Sequence, residues 1–448
     1  MSYNFLIVGG GPVGFATALT LSKQGYRCTV FEGRPEISPG SPEESYPIGI
    51  NARALHCLDE IDVSLGAKAR ETGELVNAWK IFVRSRCVSN IPSTVSFGTS
   101  RAQVNHLLSE AASRNPDIDI RLNHRLIDMD FVSKLLVFDR ILPDGSKHRV
   151  TVDASLPNTR IIAADGVKSA VRRFMDKNSP GFKSTVTPWT FEFRTLFATP
   201  GHSLPHLDPQ TQYLFSGNYN AVLHNGDVRQ WCCVLATRDN EAAPTRDFKL
   251  ATQATPVRVA SLRAFLDKNV PLTSQLYTDA ELERFYARRS FRGAIVQCNR
   301  LHHDNWILLL GDAAHSVHPP IGEGINSALE DVTVLAECMR EERPFEAYNA
   351  RRHPDAEALV QYALYLNEIP HMPGELSARI MARALYSLVH KGPDTIYHYL
   401  FGPGSLERKP YRQIVDRWRR QNWPILALTR LALGSKTVLV DRTLKPSV

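Results

Sequence analysis

The chain alternates short apolar runs, which read as buried strands, with longer stretches at helical spacing. Phe5 to Val8 is such a run; Gly9, Gly11 and Gly14 interrupt it, and Phe15 to Gln24 resumes with apolar residues at helical spacing. A second run, Cys28 to Phe31, ends at Glu32. The same junction recurs twice. TRIIAADGVKSAVRRF, residues 159–174, carries an apolar strand into Asp165-Gly166 and then a helix with Arg172 and Arg173. NWILLLGDAAHSVHPPIGEGINSALED, residues 305–331, carries another into Gly311-Asp312, then through two prolines into a further helix. Between about 183 and 291 the period shortens to aromatic and β-branched alternation, as in TPWTFEFRTLF, TQYLFSG and DVRQWCCVLAT, with turns such as Asn225-Gly226-Asp227. From Tyr348 onward the spacing is helical again, LSARIMARALYSLVHK being the clearest stretch.

With 448 residues and 43% hydrophobic composition, the chain has material for two or three structural units. Its seven cysteines are odd in number and scattered, without CxxC, which argues against a disulfide framework or a zinc site and points to a reducing, cytoplasmic compartment. Cys232 and Cys233 sit in an apolar run and read as packing residues. The net charge of +7 is spread along the chain with no nucleic-acid-binding signature, so a nucleic-acid partner is not expected; a polyanionic cofactor suits this charge. FLIVGGGPVGFATALTLSKQG lacks a basic start and is rich in glycine, unlike a signal peptide. Near the C-terminus, a basic run from Arg408 to Arg420 precedes NWPILALTRLALGSKTVLV, which Arg430 and Lys436 interrupt. Integral anchoring is therefore not expected, while association with a membrane surface stays open. Oligomeric state has no signal in the sequence.

Strand, glycines, helix, strand and carboxylate together form a βαβ unit suited to a dinucleotide. Gly9 makes the turn, Gly11 lets main chain approach a pyrophosphate, Gly14 lets helix pack on strand, and Glu32 stands where a ribose hydroxyl is bound. This unit alone does not separate FAD from NAD.

The three junctions in this order, GxGxxG, then DG, then GD, resemble the fingerprints of the FAD-dependent aromatic hydroxylases, the class A flavoprotein monooxygenases that include p-hydroxybenzoate hydroxylase and kynurenine monooxygenase. The resemblance covers about the first 350 residues. It implies an α/β fold: a Rossmann-type FAD-binding domain, an inserted mostly antiparallel β-sheet substrate domain and a C-terminal helical region. The implied division is 1–182 for the first part of the FAD-binding domain, with an excursion near 76–98 to the substrate side, then 183–291 for the substrate sheet, 292–350 for the return to the FAD-binding domain, and 351–448 for the helical region. FAD is the implied cofactor, NADPH or NADH the co-substrate, and dioxygen and a small molecule the other reactants.

The resemblance also implies roles. Asp312 would bond the ribityl chain, with Gly311 permitting close approach. Pro319, Gly322, Gly324, Ile325 and Asn326 would run along the isoalloxazine, and the helix from Gly324 would aim its N-terminus at N1 and the C2 carbonyl, favouring the anionic reduced flavin. Asp165 would lie by the pyrophosphate, although it equally suits the N-terminus of the helix beginning just after it. Arg101, opening a helix, would contact the cofactor; Arg53 is a weaker flavin-side candidate. Glu323 replaces a glutamine often found in this loop, and its role stays open. No side chain is implied as catalytic, since oxygen would pass from a hydroperoxide at flavin C4a.

Lys80, in NAWKIFV, stands near where kynurenine monooxygenase places a carboxylate-binding arginine, but no matching tyrosine is evident, and Tyr365 and Asn367 align ambiguously. Kynurenine itself is thus not the expected substrate. His315 and His318 lack a third ligand at suitable spacing, so no metal is expected, and His302-His303 read as a surface turn. The expected function is hydroxylation of an aromatic small molecule in a specialised biosynthetic pathway. Epoxidation of a polyene or prenylated intermediate, a flavin oxidase or dehydrogenase, and a non-catalytic flavin-binding protein are the alternatives.

Overall fold

The apolar runs become neighbouring strands of one sheet. In the computed structural model, which describes residues 3–37, 45–83, 85–93, 95–215, 220–225, 229–239, 244–368, 395–400 and 402–433, this sheet has the order His302–His303, Ile307–Leu309, Thr159–Ala163, Asn4–Val8, Arg27–Phe31, Ile118–Arg121. All neighbours are parallel except the outermost pair, His302–His303 with Ile307–Leu309. Register aligns the strand ends: Val8 lies opposite both Ala163 and Phe31, and Ala163 lies opposite Leu309. The three junctions seen in the sequence therefore leave the sheet side by side at its carboxyl edge, where α/β folds bind their ligands.

Helices Pro12–Lys23, Ala52–Ile61, Arg101–Ser113 and Gly324–Cys338 pack together over this core. A three-stranded antiparallel sheet, His124–Asp130, Leu135–Ile141 and Lys147–Asp153, also closes on the core, and its Phe138 stacks on Phe31 at 4.3 Å.

A second six-stranded sheet has the order Phe191–Phe197, Gln230–Arg238, Asn220–Asn225, Thr211–Phe215, Ala78–Val83, Arg86–Pro92. Its pairs are antiparallel except Thr211–Phe215 with Ala78–Val83. The alternating pattern becomes strand as far as Arg238, but the rest of the 183–291 stretch is largely helical: Thr245–Leu250, Pro256–Asn269 and Asp279–Ala287. The cues were local. Thr255 and Thr278 accept the N–H groups of Arg258 and Glu281 as N-caps, and Pro256 occupies the first turn.

The long helix Pro344–Glu368 packs on Gly324–Cys338 and on the C-terminal helix Tyr411–Leu433. The helix expected over LSARIMARALYSLVHK and the Gly226-Asp227 turn lie outside the described residues. Among the described residues no helix is long and apolar enough to cross a membrane. None of the seven cysteines is paired, and Cys232 and Cys233 are fully buried in their strand.

Candidate cofactor and active site

Backbone demands build the first junction. Gly9 has φ +107°, and a Cβ there would lie 2.4 Å from Ala164 O and 2.8 Å from Asp165 Cα, so this glycine brings the GxGxxG and DG turns into contact. A Cβ on Gly14 would meet Gly9 O at 1.9 Å, which is the helix-on-strand approach expected of the third glycine. Gly11 differs: a Cβ there would meet nothing within 4 Å. Its backbone starts the helix Pro12–Lys23 with no side-chain cap and no acid in the first turn, leaving an anion-favouring N-terminus open.

Glu32 accepts the Gly10 N–H at 2.7 Å and the Arg34 N–H and Nε at 2.9 and 3.0 Å. Burial alone would raise its pKa, but Arg34 and these N–H groups hold it below the usual range. A carboxylate has about four acceptor positions, so a ribose hydroxyl still finds room.

Asp165 binds the helix Ala170–Asn178 from below, its Oδ2 accepting Ala170 N–H at 2.6 Å, while Ser169 is the N-cap proper. Its Oδ1 is buried without a hydrogen-bond partner. Burial raises its pKa against the opposing bonds from Ser169 and the helix N–H groups. Arg172 then ties this helix to the third junction by donating to Ala313 O at 2.8 Å.

Gly311, at φ +57°, has Val13 and Ala328 where its Cβ would point, at 3.0 and 3.3 Å. Helix Pro12–Lys23, the GD turn and helix Gly324–Cys338 thus meet at one point. Asp312 is exposed. Arg101 is exposed as well, at the start of Arg101–Ser113, and the charges of both act on the Tyr46 hydroxyl, whose pKa burial raises.

The loop after His315 turns through Pro319–Ile321 and Gly322, at φ +69°, into Gly324–Cys338. Gly324 and Ile325 are half-buried, and no side chain caps the first turn of this helix. The side chain of Asn326 is buried, its Oδ1 accepting Asn51 N at 2.8 Å and its Nδ2 donating to Gly49 O and Gly322 O at 3.0 and 2.9 Å. These bonds tie the first turn of the helix to the loop before it and to the strand Pro47–Asn51.

Sequence reasoning missed the carboxylate beneath this loop. Asp331 is fully buried and accepts Gly311 N–H, His315 Nε2 and Arg352 Nε at 2.7, 2.7 and 2.6 Å. Burial would raise its pKa, yet His315 and Arg352 hold it at about 2. The signal was that Asp331 shares helical spacing with the apolar Ala328, Leu335 and Cys338. Arg53, read as a flavin-side candidate, belongs to this layer too: it pairs with Glu330 and lies 4.1 Å from the Tyr411 ring centroid.

His318 is buried edge-on to Phe191 at 5.0 Å, and burial, with help from Arg238, pushes its pKa down to about 3. Among the described residues no acidic, histidine or cysteine cluster suits a metal ion. His302 and His303 form a half-buried edge strand rather than a surface turn, with His303 bonded to Ser179 at 2.7 Å.

A matching profile for the FAD-binding-domain family covers residues 2–363. The chain belongs to the FAD-dependent aromatic hydroxylases. It is 24% identical to a kynurenine 3-monooxygenase of Emericella nidulans over 93% of this chain and 88% of that protein. It is likewise 24% identical to one from Salinispora tropica, over 97% and 94%. Among solved structures, p-nitrophenol 4-monooxygenase from Pseudomonas putida gives a TM-score of 0.65 at 17% identity, covering 94% of this chain and 98% of that one. A probable FAD-dependent monooxygenase from Pseudomonas aeruginosa gives 0.60 at 19%, covering 82% and 96%.

For this member of the family the geometry suits FAD. Gly11 leaves free space at a helix N-terminus, Asp165 keeps an unbonded buried oxygen beside it, Asp312 presents an exposed carboxylate, and Gly324 opens an uncapped helix. Beside Tyr46, on which the charges of Asp312 and Arg101 act, the inserted sheet contributes Phe193, which stacks on Phe291 at 5.2 Å; Tyr46 meets these two rings edge-on at 5.4 and 5.2 Å. Trp79 and the buried Gln212 line a small cleft against Gly49 and Gly98. Lys80 is the exception among the expected residues. It follows Trp79 by one position and shares its face with Phe82, which packs with Tyr213 and Phe215. Period-two alternation therefore turns Lys80 toward the helices behind the sheet and away from the cleft.

Proposed function

We propose that the protein uses NADPH and dioxygen to hydroxylate an aromatic small molecule. The observation that carries this reading is that the junctions bearing Gly11, Asp165 and Asp312 leave one sheet edge side by side, with the Asp312 charge acting on Tyr46, whose ring meets Phe193 and Phe291. FAD, when bound there, supplies hydride acceptance and dioxygen activation. The chain supplies the rest. First-turn N–H groups from Gly324 to Asn326 favour negative charge on a reduced ring system. The aromatic face orients a flat substrate and keeps water out, and His318, held neutral, adds no proton there between pH 5 and 8.

A substrate other than kynurenine is supported by the placement of Lys80, the residue nearest the expected carboxylate-binding position, behind the sheet. The test is the visible spectrum of the purified protein followed by NADPH-driven oxygen uptake with kynurenine, phenols and polyketide-like compounds. Flavin bands with compound-stimulated uptake and a product heavier by one oxygen are expected. Flavin bands without NADPH oxidation would replace the proposal with the oxidase or non-catalytic reading, and an epoxide product with the epoxidase reading.

A further inference from the structure

Tyr411, at the head of the C-terminal helix, reaches the cofactor loop. Its hydroxyl donates to Glu323 Oε2 at 2.6 Å, while Asn51 Nδ2 donates to Glu323 Oε1 at 2.9 Å. Tyr411 and Glu323 are completely buried and Asn51 nearly so. Asn326 closes the ring of contacts through Asn51 N and Gly322 O. On the far side of Tyr411, Arg53 lies over its ring and pairs with Glu330, which Arg352 also holds at 2.9 Å. Arg352 continues to Asp331, and Asp331 to Gly311. One buried polar chain therefore touches the cofactor loop at both ends, at Gly311 and at Glu323 to Asn326, and touches the C-terminal helix at Tyr411. Both Glu323 oxygens are engaged inside the protein, so this side chain acts through the loop rather than on a ligand. Such a network, with its members satisfied, holds one geometry and resists small displacements.

We infer that Tyr411 and Glu323 are positioning residues through which the C-terminal helix sets the first-turn N–H donors of Gly324, Ile325 and Asn326, and with them the binding and reduction of FAD. This rests on the flavin reading of the site. The groups that face Glu323 are Asn51, Arg53, Tyr411 and, farther off, Glu330. Burial raises the Glu323 pKa to about 7 against the opposing effects of Arg53, Tyr411 and Asn51, so its charge state responds to this surround.

Tyr411→Phe keeps the ring beneath Arg53 and removes only the donor. Titration of the apoprotein with FAD is expected to show binding weakened up to about tenfold, the part of one lost hydrogen bond to a charged group that reaches the loop. The flavin midpoint potential, measured on the reconstituted variant, is expected to fall, because displaced N–H donors stabilise the reduced anion less. Glu323→Gln keeps the shape, satisfies only one of the two donors, and is expected to shift both readouts in the same direction; it also serves if Tyr411→Phe does not fold. Folded variants with wild-type FAD affinity and potential, even with a lowered unfolding temperature, would reduce the link to packing and overturn the inference. A wild-type protein that binds no FAD in the same titration would instead remove the flavin reading itself.

Discussion

Gly311 is held from below by Asp331: its backbone N–H donates to Asp331 Oδ2 at 2.7 Å, twenty residues along the chain. The turn that presents Asp312 is therefore not a free loop but is pinned by a buried carboxylate that also binds His315 and Arg352.

Asp331→Asn is expected to destabilise the apoprotein by about 3 kcal/mol, the low end for breaking a buried ion pair, because Glu330 still partners Arg352. Urea unfolding followed by circular dichroism measures it. A loss below 1 kcal/mol would mean the pinning is not energetically important.

Gly11 and Gly14 are expected to part company on substitution. Gly11→Val enters open space but replaces a tolerated N-cap with a poor one, so apoprotein stability should fall by only about 1 kcal/mol while FAD retention is lost. Gly14→Ala should impair folding itself, since its Cβ would lie 1.9 Å from Gly9 O. Thermal melts with and without FAD separate the two, and a Gly11 variant that purifies with full flavin would remove this glycine from the site.

Asp312→Ala removes an exposed carboxylate. Stability of the apoprotein should be unchanged, and FAD affinity should drop between tenfold and a hundredfold, about 1.5–3 kcal/mol for a charge-assisted bond. Fluorescence titration with FAD reads this directly, and unaltered affinity would argue against the ribityl contact.

Lys80→Met and Gln212→Ala test which face of the inserted sheet meets substrate. KM for the accepted aromatic compound should stay within about twofold for the first and rise by about tenfold for the second, the cost of one buried hydrogen bond. The opposite ranking would restore Lys80 as a substrate residue.

Stability should fall as pH rises across the Glu323 titration. Its folded pKa of about 7 exceeds the ordinary 4.5, so between these values the native state holds a proton that the unfolded chain has lost. The share involved is on the order of 3 kcal/mol, present below the lower value and gone above the upper one. Asp331 runs the other way at more acid pH: its depressed value means stability lost as pH drops toward about 2. Glu323→Gln should flatten the first slope and leave the second, as chemical denaturation across pH 4 to 8 and below would record.

The parts legible in the sequence are those where chemistry is local. A glycine that must adopt φ +107° against Ala164, or leave space at a helix N-terminus, announces itself by residue type beside an apolar run, and the parallel sheet and its inserted partner follow from such runs. What was not legible depends on distant pairing. Glu323 and Tyr411 are 88 positions apart, and nothing near either residue names the other. Lys80 shows a different limit: alternation told which residues share a face, but only the helices of residues 245–287 decide which face is covered. Those helices were themselves obscured by aromatic residues nearby, although Thr255-Pro256 and Thr278 marked their starts.

The parallel pairing of Ala78–Val83 with Thr211–Phe215 has a consequence for how the chain is made. As synthesis proceeds from the N-terminus, the hairpin of residues 78–92 emerges long before the strand it must join, and its inner edge stays unpaired meanwhile. Such long-range closure is slow, so the nascent protein passes through a period in which this edge is open to other chains. Yield on expression should therefore depend on temperature and chaperone supply more than the stability of the finished molecule would suggest.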